Sequence, residues 1–159
     1  MVDITEISAM VAAAGVLVGV VYYILDMRHQ SKMRQTDMVM RLYATFGSTE
    51  FLKAYQTIMG AEFKDYEDYL KRYSTNAEVR LALMSVGVYF EGIGMLVKRK
   101  LVGMDLIDDL LNANILSTWE KMKPVAEGMR KRVPQSWEWF EYLYNEMKKR
   151  EQKFQQSKA

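Results

Sequence analysis

From Ile7 to Leu25 the chain runs for nineteen residues without a charge, and beyond Asp26 polar residues take over. At a rise of about 1.5 Å per residue, a helix of this length matches the hydrocarbon thickness of a bilayer. The pattern therefore predicts an N-terminal transmembrane helix. Asp3 and Glu6 precede the run where a cleaved signal peptide carries basic residues, and Tyr22-Tyr23-Ile24-Leu25-Asp26 follows it without a small-residue cleavage site, so a retained anchor is expected. No Lys or Arg comes before the run, whereas Arg28, Lys32, Arg34 and Arg41 follow it closely. The positive-inside rule then predicts a single-pass protein of the cell membrane, with residues 1–26 forming an extracytoplasmic N-terminus and anchor and the remainder cytoplasmic.

Beyond the run, apolar residues recur at helical spacings and do not alternate, and Pro124 and Pro134 are the only prolines; the expected class is all-α, a transmembrane helix continuing into a stalk and then a multi-helix bundle. The first helix should reach Phe46, with Gly47 as its C-cap. Residues 27–47 form its juxtamembrane stalk, polar over Arg28–Asp37, and 48–154 the bundle. Ser48 opens a helix that Gly60 ends, Asp65 opens a short one, and Thr75 with Glu78 makes a capping box for a central helix to about Arg99. A short helix from Met104 to Leu111, another from Asn114 to Lys131 with Pro124 as a place to bend, and a last one from Gln135 to Phe154 complete the bundle. Residues 155–159 read as a frayed tail.

Leu81–Val97 is apolar enough to be considered as a second span. Glu91 would then sit in hydrocarbon at a cost of about 3 kcal/mol on insertion scales, and Lys98-Arg99-Lys100 would lie on the wrong side. A bundle helix covered by neighbours on every side, with Met84 and Met95 in the core, is the expectation.

An N-terminal span and stalk, then Val88-Tyr89-Phe90-Glu91-Gly92-Ile93-Gly94, Trp119-Glu120, Arg130 and Trp137-x-Trp139-Phe140-Glu141-x-Leu143, resemble a family of prokaryotic single-span membrane-anchored helical proteins catalogued only as a domain of unknown function. The resemblance implies an anchor with a cytoplasmic helical domain. It brings no activity and no catalytic residues.

Composition narrows the chemistry. Without Cys there is no disulfide framework, thiolate metal site or thiol nucleophile, and His29 alone cannot make a metal centre. No cofactor is expected, nor is nucleic acid at a net charge of +2. Asp65, Glu67 and Asp68, and likewise Asp105, Asp108 and Asp109, stand near helix starts, where acids suit the macrodipole. Glu91 is the polar residue that most needs an explanation. On so apolar a helix it should form a buried pair with Arg130 or Arg132, or else face a cavity.

Four further groups are candidates for contact. Ser8, Val11, Ala12, Gly15 and Gly19 make a small-residue stripe for packing against another span, of this chain or of an integral membrane complex. Met27 and Met33 lie on a stalk with no core to fill, and Trp139 and Tyr142 point off the face shared by Trp137, Phe140 and Tyr144; these four form an expected partner surface. Arg28, Lys32 and Arg34 could meet lipid headgroups on an anionic surface. The sequence favours a non-catalytic accessory, assembly or regulatory subunit; the alternative is a ligand sensor or carboxylate enzyme centred on Glu91.

Overall fold

The computed structural model describes residues 3–156, the side chains of Thr5, Glu6 and Ala9 excepted. Among the described residues there are six helices and no strand: α1 (Ile4–Phe46), α2 (Thr49–Gly60), α3 (Tyr66–Tyr73), α4 (Ala77–Lys98), α5 (Met104–Arg130) and α6 (Glu138–Gln156). The protein is all-α. Its chain forms two compact units, Met1–Asp37 and Met38–Ala159.

The first unit is helix alone. Every described side chain from Ile7 to Leu25 is exposed, and the segment is long and apolar enough to cross a membrane. Its polar groups bond locally, Gln30 to the Asp26 carboxylate at 2.8 Å and the Thr36 hydroxyl to the Lys32 carbonyl at 3.1 Å.

The second unit begins inside α1. Residues 38–47 were expected in the stalk, but Met38, Val39, Leu42 and Phe46 line one side of the helix, and they join the core instead, with Val39 2% exposed. The Tyr89 hydroxyl donates to the Leu42 carbonyl at 2.7 Å, and the Phe46 ring meets Phe51, Tyr55 and Phe90. Ser48 and Asp65 cap α2 and α3 as expected, their side chains accepting from the amides of Phe51 and Asp68. At α4 the cap is one residue later than the Thr75–Glu78 box: Asn76 accepts from the Val79 amide at 3.1 Å.

The two helices expected between Met104 and Lys131 are one, α5, running through Pro124. The polar residues at and beside the expected junction find partners without leaving the helix. Asn112 bonds back to Asp108 and reaches the Met147 sulfur, while Asn114 donates to the Tyr55 hydroxyl at 3.4 Å. Helix α6 lies antiparallel to α5, since Arg130 meets Glu141, Glu120 meets Tyr144, and Arg150 meets Asp105. Phe90, Trp119 and Phe140 are buried where α4, α5 and α6 converge, with ring centroids 4.9 and 5.0 Å apart around Phe140. Gln155 and Gln156 extend α6, and residues 157–159 of the expected tail lie outside the described residues.

Helix α4 stops without a glycine. Lys100 takes the left-handed conformation at φ 59°, its amide bonds the Val97 carbonyl at 2.9 Å, and the Leu101 amide bonds the Leu96 carbonyl at 2.9 Å. This is the paired-bond C-terminal turn that usually places Gly at the residue occupied here by Lys.

Candidate functional site

Helix α4 brings Gly87, Glu91 and Gly94 to one side, at the spacings that stack residues on a helix face. The first turn of α6 rests against that side. A Cβ at Gly87 would run into the Trp137 indole, and a Cβ at Gly94 into the Trp139 carbonyl. Between the two glycines the Glu91 carboxylate accepts the Phe140 amide at 2.8 Å, with the Trp139 amide near enough to favour its charged form. These amides belong to the opening turn of α6, which has no intrahelical acceptor for them. Glu91 thus caps α6 from a different helix, and its negative charge faces the positive end of the α6 dipole.

The chain entering α6 is held from the other side by Arg130. Its guanidinium donates to the carbonyls of Ser136 at 2.9 Å and Trp137 at 3.2 Å, and pairs with Glu141 at 2.7 Å. It also lies 5.8 Å from the centre of the Trp119 ring. Trp137 is buried in a left-handed conformation, φ 53°, which strains a residue with a Cβ by about 1–2 kcal/mol. Its indole on Gly87 and its carbonyl on Arg130 keep it there.

The expected Glu91–Arg130 pair is therefore corrected. Both residues reach the same turn, but Glu91 takes its amides and Arg130 takes its carbonyls and Glu141. An exposed helix start and a carbonyl-lined loop each need a partner of opposite polarity, and the two side chains divide that work. Burial pushes the Glu91 carboxyl above its ordinary value; the Phe140 and Trp139 amides pull it back, the nearby Glu138 charge adds to the rise and Arg130 opposes it.

The other predicted groups lie elsewhere. Ser8, Val11, Ala12, Gly15 and Gly19 are exposed on α1, the Ser8 hydroxyl bonding back to the Ile4 carbonyl at 2.9 Å. Met27, Met33, Arg28, Lys32 and Arg34 are exposed as well. Trp139 and Tyr142 are half-buried and pair edge to face at 6.5 Å, with the Lys98 ammonium 4.7 Å from the Tyr142 ring centre. The acidic groups serve local structure: Asp65 caps α3, Asp68 binds Arg72 at 2.8 Å, and Asp105 and Asp108 share Arg150 at 2.7 and 3.4 Å. Among the described residues no group of His, Asp and Glu is arranged to hold a metal ion.

Two features escaped the sequence reading. A cleft of about 350 Å³ between α3, α4 and α5 is lined by Tyr66, Tyr69, Leu70, Arg80, Met84 and Met129 among others; its residues come from three separate segments, so no local motif marks it. The second is an open side of α4. The expectation that neighbours cover this helix all round fails, because Leu81, Met84 and Val88 are 68%, 47% and 58% exposed. Neither Met84 nor Met95 belongs to the core: Met84 is exposed at the edge of that cleft and Met95 is half-buried.

Residues 9–147, from the apolar run to the last buried residue of α6, match one family. The chain belongs to DUF4760, a domain of unknown function. No curated protein and no solved structure matches it. The DUF4760 match takes in Gly87, Glu91, Gly94, Arg130 and Glu141, and so the whole clasp around the start of α6.

Proposed function

We propose that this DUF4760 protein is a membrane-tethered, non-catalytic interaction module, an accessory, assembly or regulatory subunit whose bundle docks on a larger membrane complex. The observation that carries the reading is the contrast within α1. Its apolar stretch from Ile7 to Leu25 is exposed at every described side chain, while its last turns are built into a well-packed bundle. An apolar helix of that length is stable in lipid or against another span and unfavourable in water. In this reading the span crosses the cell membrane once with the basic side, Arg28, Lys32 and Arg34, toward the cytoplasm and anionic headgroups. Ser8, Gly15 and Gly19 then offer close approach to a second span, and Met27 and Met33 a flexible apolar contact beneath it.

The Glu91-centred alternative loses support from the geometry, because that carboxylate is engaged with the Phe140 amide that α6 leaves open. A sensor or enzyme would need it turned toward a ligand.

Cross-linking in native membranes, followed by mild-detergent extraction and mass spectrometry, tests the reading. Reproducible links from Lys32 to one defined membrane complex are expected. Recovery of the chain without any other protein would overturn it.

A further inference from the structure

Tyr69 is 4% exposed, the most buried tyrosine among the described residues, and its hydroxyl has no hydrogen-bond partner there. The less buried Tyr55, Tyr73 and Tyr89 each have one, in Asn114, the Glu62 backbone and the Leu42 carbonyl. A buried phenol normally finds such a partner. Tyr69 cannot swing to seek one, because its ring is wedged between Phe63 at 5.6 Å, Tyr73 at 5.9 Å and Tyr66, stacked on it at 6.5 Å. Tyr66 is in turn seated on Gly128 of α5, where a Cβ would run into it. Among the described residues no polar side-chain atom is shut away without a partner. The Tyr69 hydroxyl therefore keeps an opening, and the cleft between α3, α4 and α5 is the space its side chain lines.

From α4, Arg80 reaches the same cleft and is the only charged residue in its lining. One N–H of its guanidinium bonds the Ser74 carbonyl at 3.3 Å, and no carboxylate among the described residues pairs with it. Burial pushes the Tyr69 phenol above its ordinary value, the Arg80 charge opposes that rise and Tyr66 adds to it, so the cation and the phenol feel each other. Leu70, Leu83, Met84 and Met129 complete an apolar wall. At about 350 Å³ the cleft has the size and the make-up of a small-molecule pocket, apolar for the most part with few converging polar groups. We infer that it binds a small soluble aromatic carboxylate, whose anionic group is held by the Arg80 guanidinium and the Tyr69 hydroxyl. An arginine fork takes a carboxylate in two parallel bonds. The aromatic body lies against Tyr66, Met84 and Met129, whose rings and thioethers suit a flat apolar surface. A two-chain lipid exceeds the space. The inference concerns the bundle alone and does not depend on what the span docks against.

Saturation-transfer NMR with benzoate, 2-naphthoate and indole-3-acetate tests the site, using the full chain in phosphatidylcholine nanodiscs and empty nanodiscs as the blank. At least one of the three acids is expected to bind saturably at or below millimolar concentration, and its uncharged amide about tenfold more weakly. Arg80→Gln should weaken the acid by a similar factor and leave the amide unchanged. Tyr69→Phe should weaken the acid by about fivefold without lowering the urea unfolding midpoint, since the hydroxyl bonds nothing within the chain. No saturable binding by any of the three, equal binding of acid and amide, or an acid indifferent to Arg80→Gln would each overturn the site. A lowered midpoint in Tyr69→Phe would overturn the unpartnered hydroxyl on which it rests.

Discussion

Gly92 and Gly94 stand two positions apart on one helix and have opposite surroundings. Gly94 is buried with the backbone of α6 lying where its side chain would be, and Gly92 looks into open space. The same residue type is a requirement of close packing at one position and, within a single chain, a pure loss of helix propensity at the other. The contrast extends to the sides of α4 on which the two glycines sit. The side toward α6 is shaped by Gly87, Glu91 and Gly94 to hold a neighbour already present, while the open side is apolar with no neighbour in the chain. Mean hydropathy along α4 does not distinguish the two; only the contacts do.

The contrast can be broken from either side. Gly94→Ala should have the largest effect, a destabilisation of about 3 kcal/mol, because the added methyl meets a main-chain carbonyl that cannot swing aside. Urea unfolding in mild detergent, followed by tryptophan fluorescence, measures it, and an unchanged midpoint would mean that α6 does not lie on that glycine. Glu91→Ala comes next at about 2 kcal/mol, since it leaves the Phe140 amide without an acceptor.

The milder Glu91→Gln isolates the proton. Because burial raises the Glu91 carboxyl in the folded chain, the folded state binds more protons than the unfolded state between the ordinary carboxyl value and the raised one. The contribution of this group is therefore fully present below the ordinary value and is lost as pH rises through the raised one. Glu91→Gln should remove that fall, giving a flatter stability profile on the acid side of neutrality than the wild-type chain. Parallel profiles would show that Glu91 does not titrate with folding.

Gly92→Ala should act in the opposite direction and least, stabilising the isolated chain by about 0.5–1 kcal/mol through helix propensity. The same urea curve measures it, and a lowered midpoint would mean that the open space over Gly92 is not there.

Much of this architecture is legible in the sequence because its signals are local. Caps at Ser48 and Asp65, the charge-free run, the end of α1 and the helical periodicity each occupy a single stretch of chain. The misreadings share a different cause. Leu42 and Phe46 looked like stalk because the residues that meet them come from α2 and α4. The continuity of α5 between Leu111 and Asn114 was missed because Asn112 and Asn114 find their partners in Met147 and Tyr55, which are distant in sequence. Glu91 was singled out correctly as a residue in need of a partner, but charge pairing suggested Arg130, and nothing in a sequence marks a helix start as lacking its own cap. Trp137 in a left-handed turn is equally silent, since the turn exists only because Gly87 and Arg130 hold it.

The cap on α6 stands 49 residues upstream of the Phe140 amide it serves, and this separation has a consequence in time. At about 5–20 residues per second, synthesis reaches Phe140 some seconds after Glu91 has been made. Through that interval α4 has no α6 to rest on, although its length and composition would suit a bilayer. The same carboxylate, then fully hydrated and ionised at neutral pH, makes entry into lipid costly. Under the proposed membrane-tethered reading, a single side chain thus opposes a second pass of the growing chain through the membrane, and afterwards it tells the last helix where to begin.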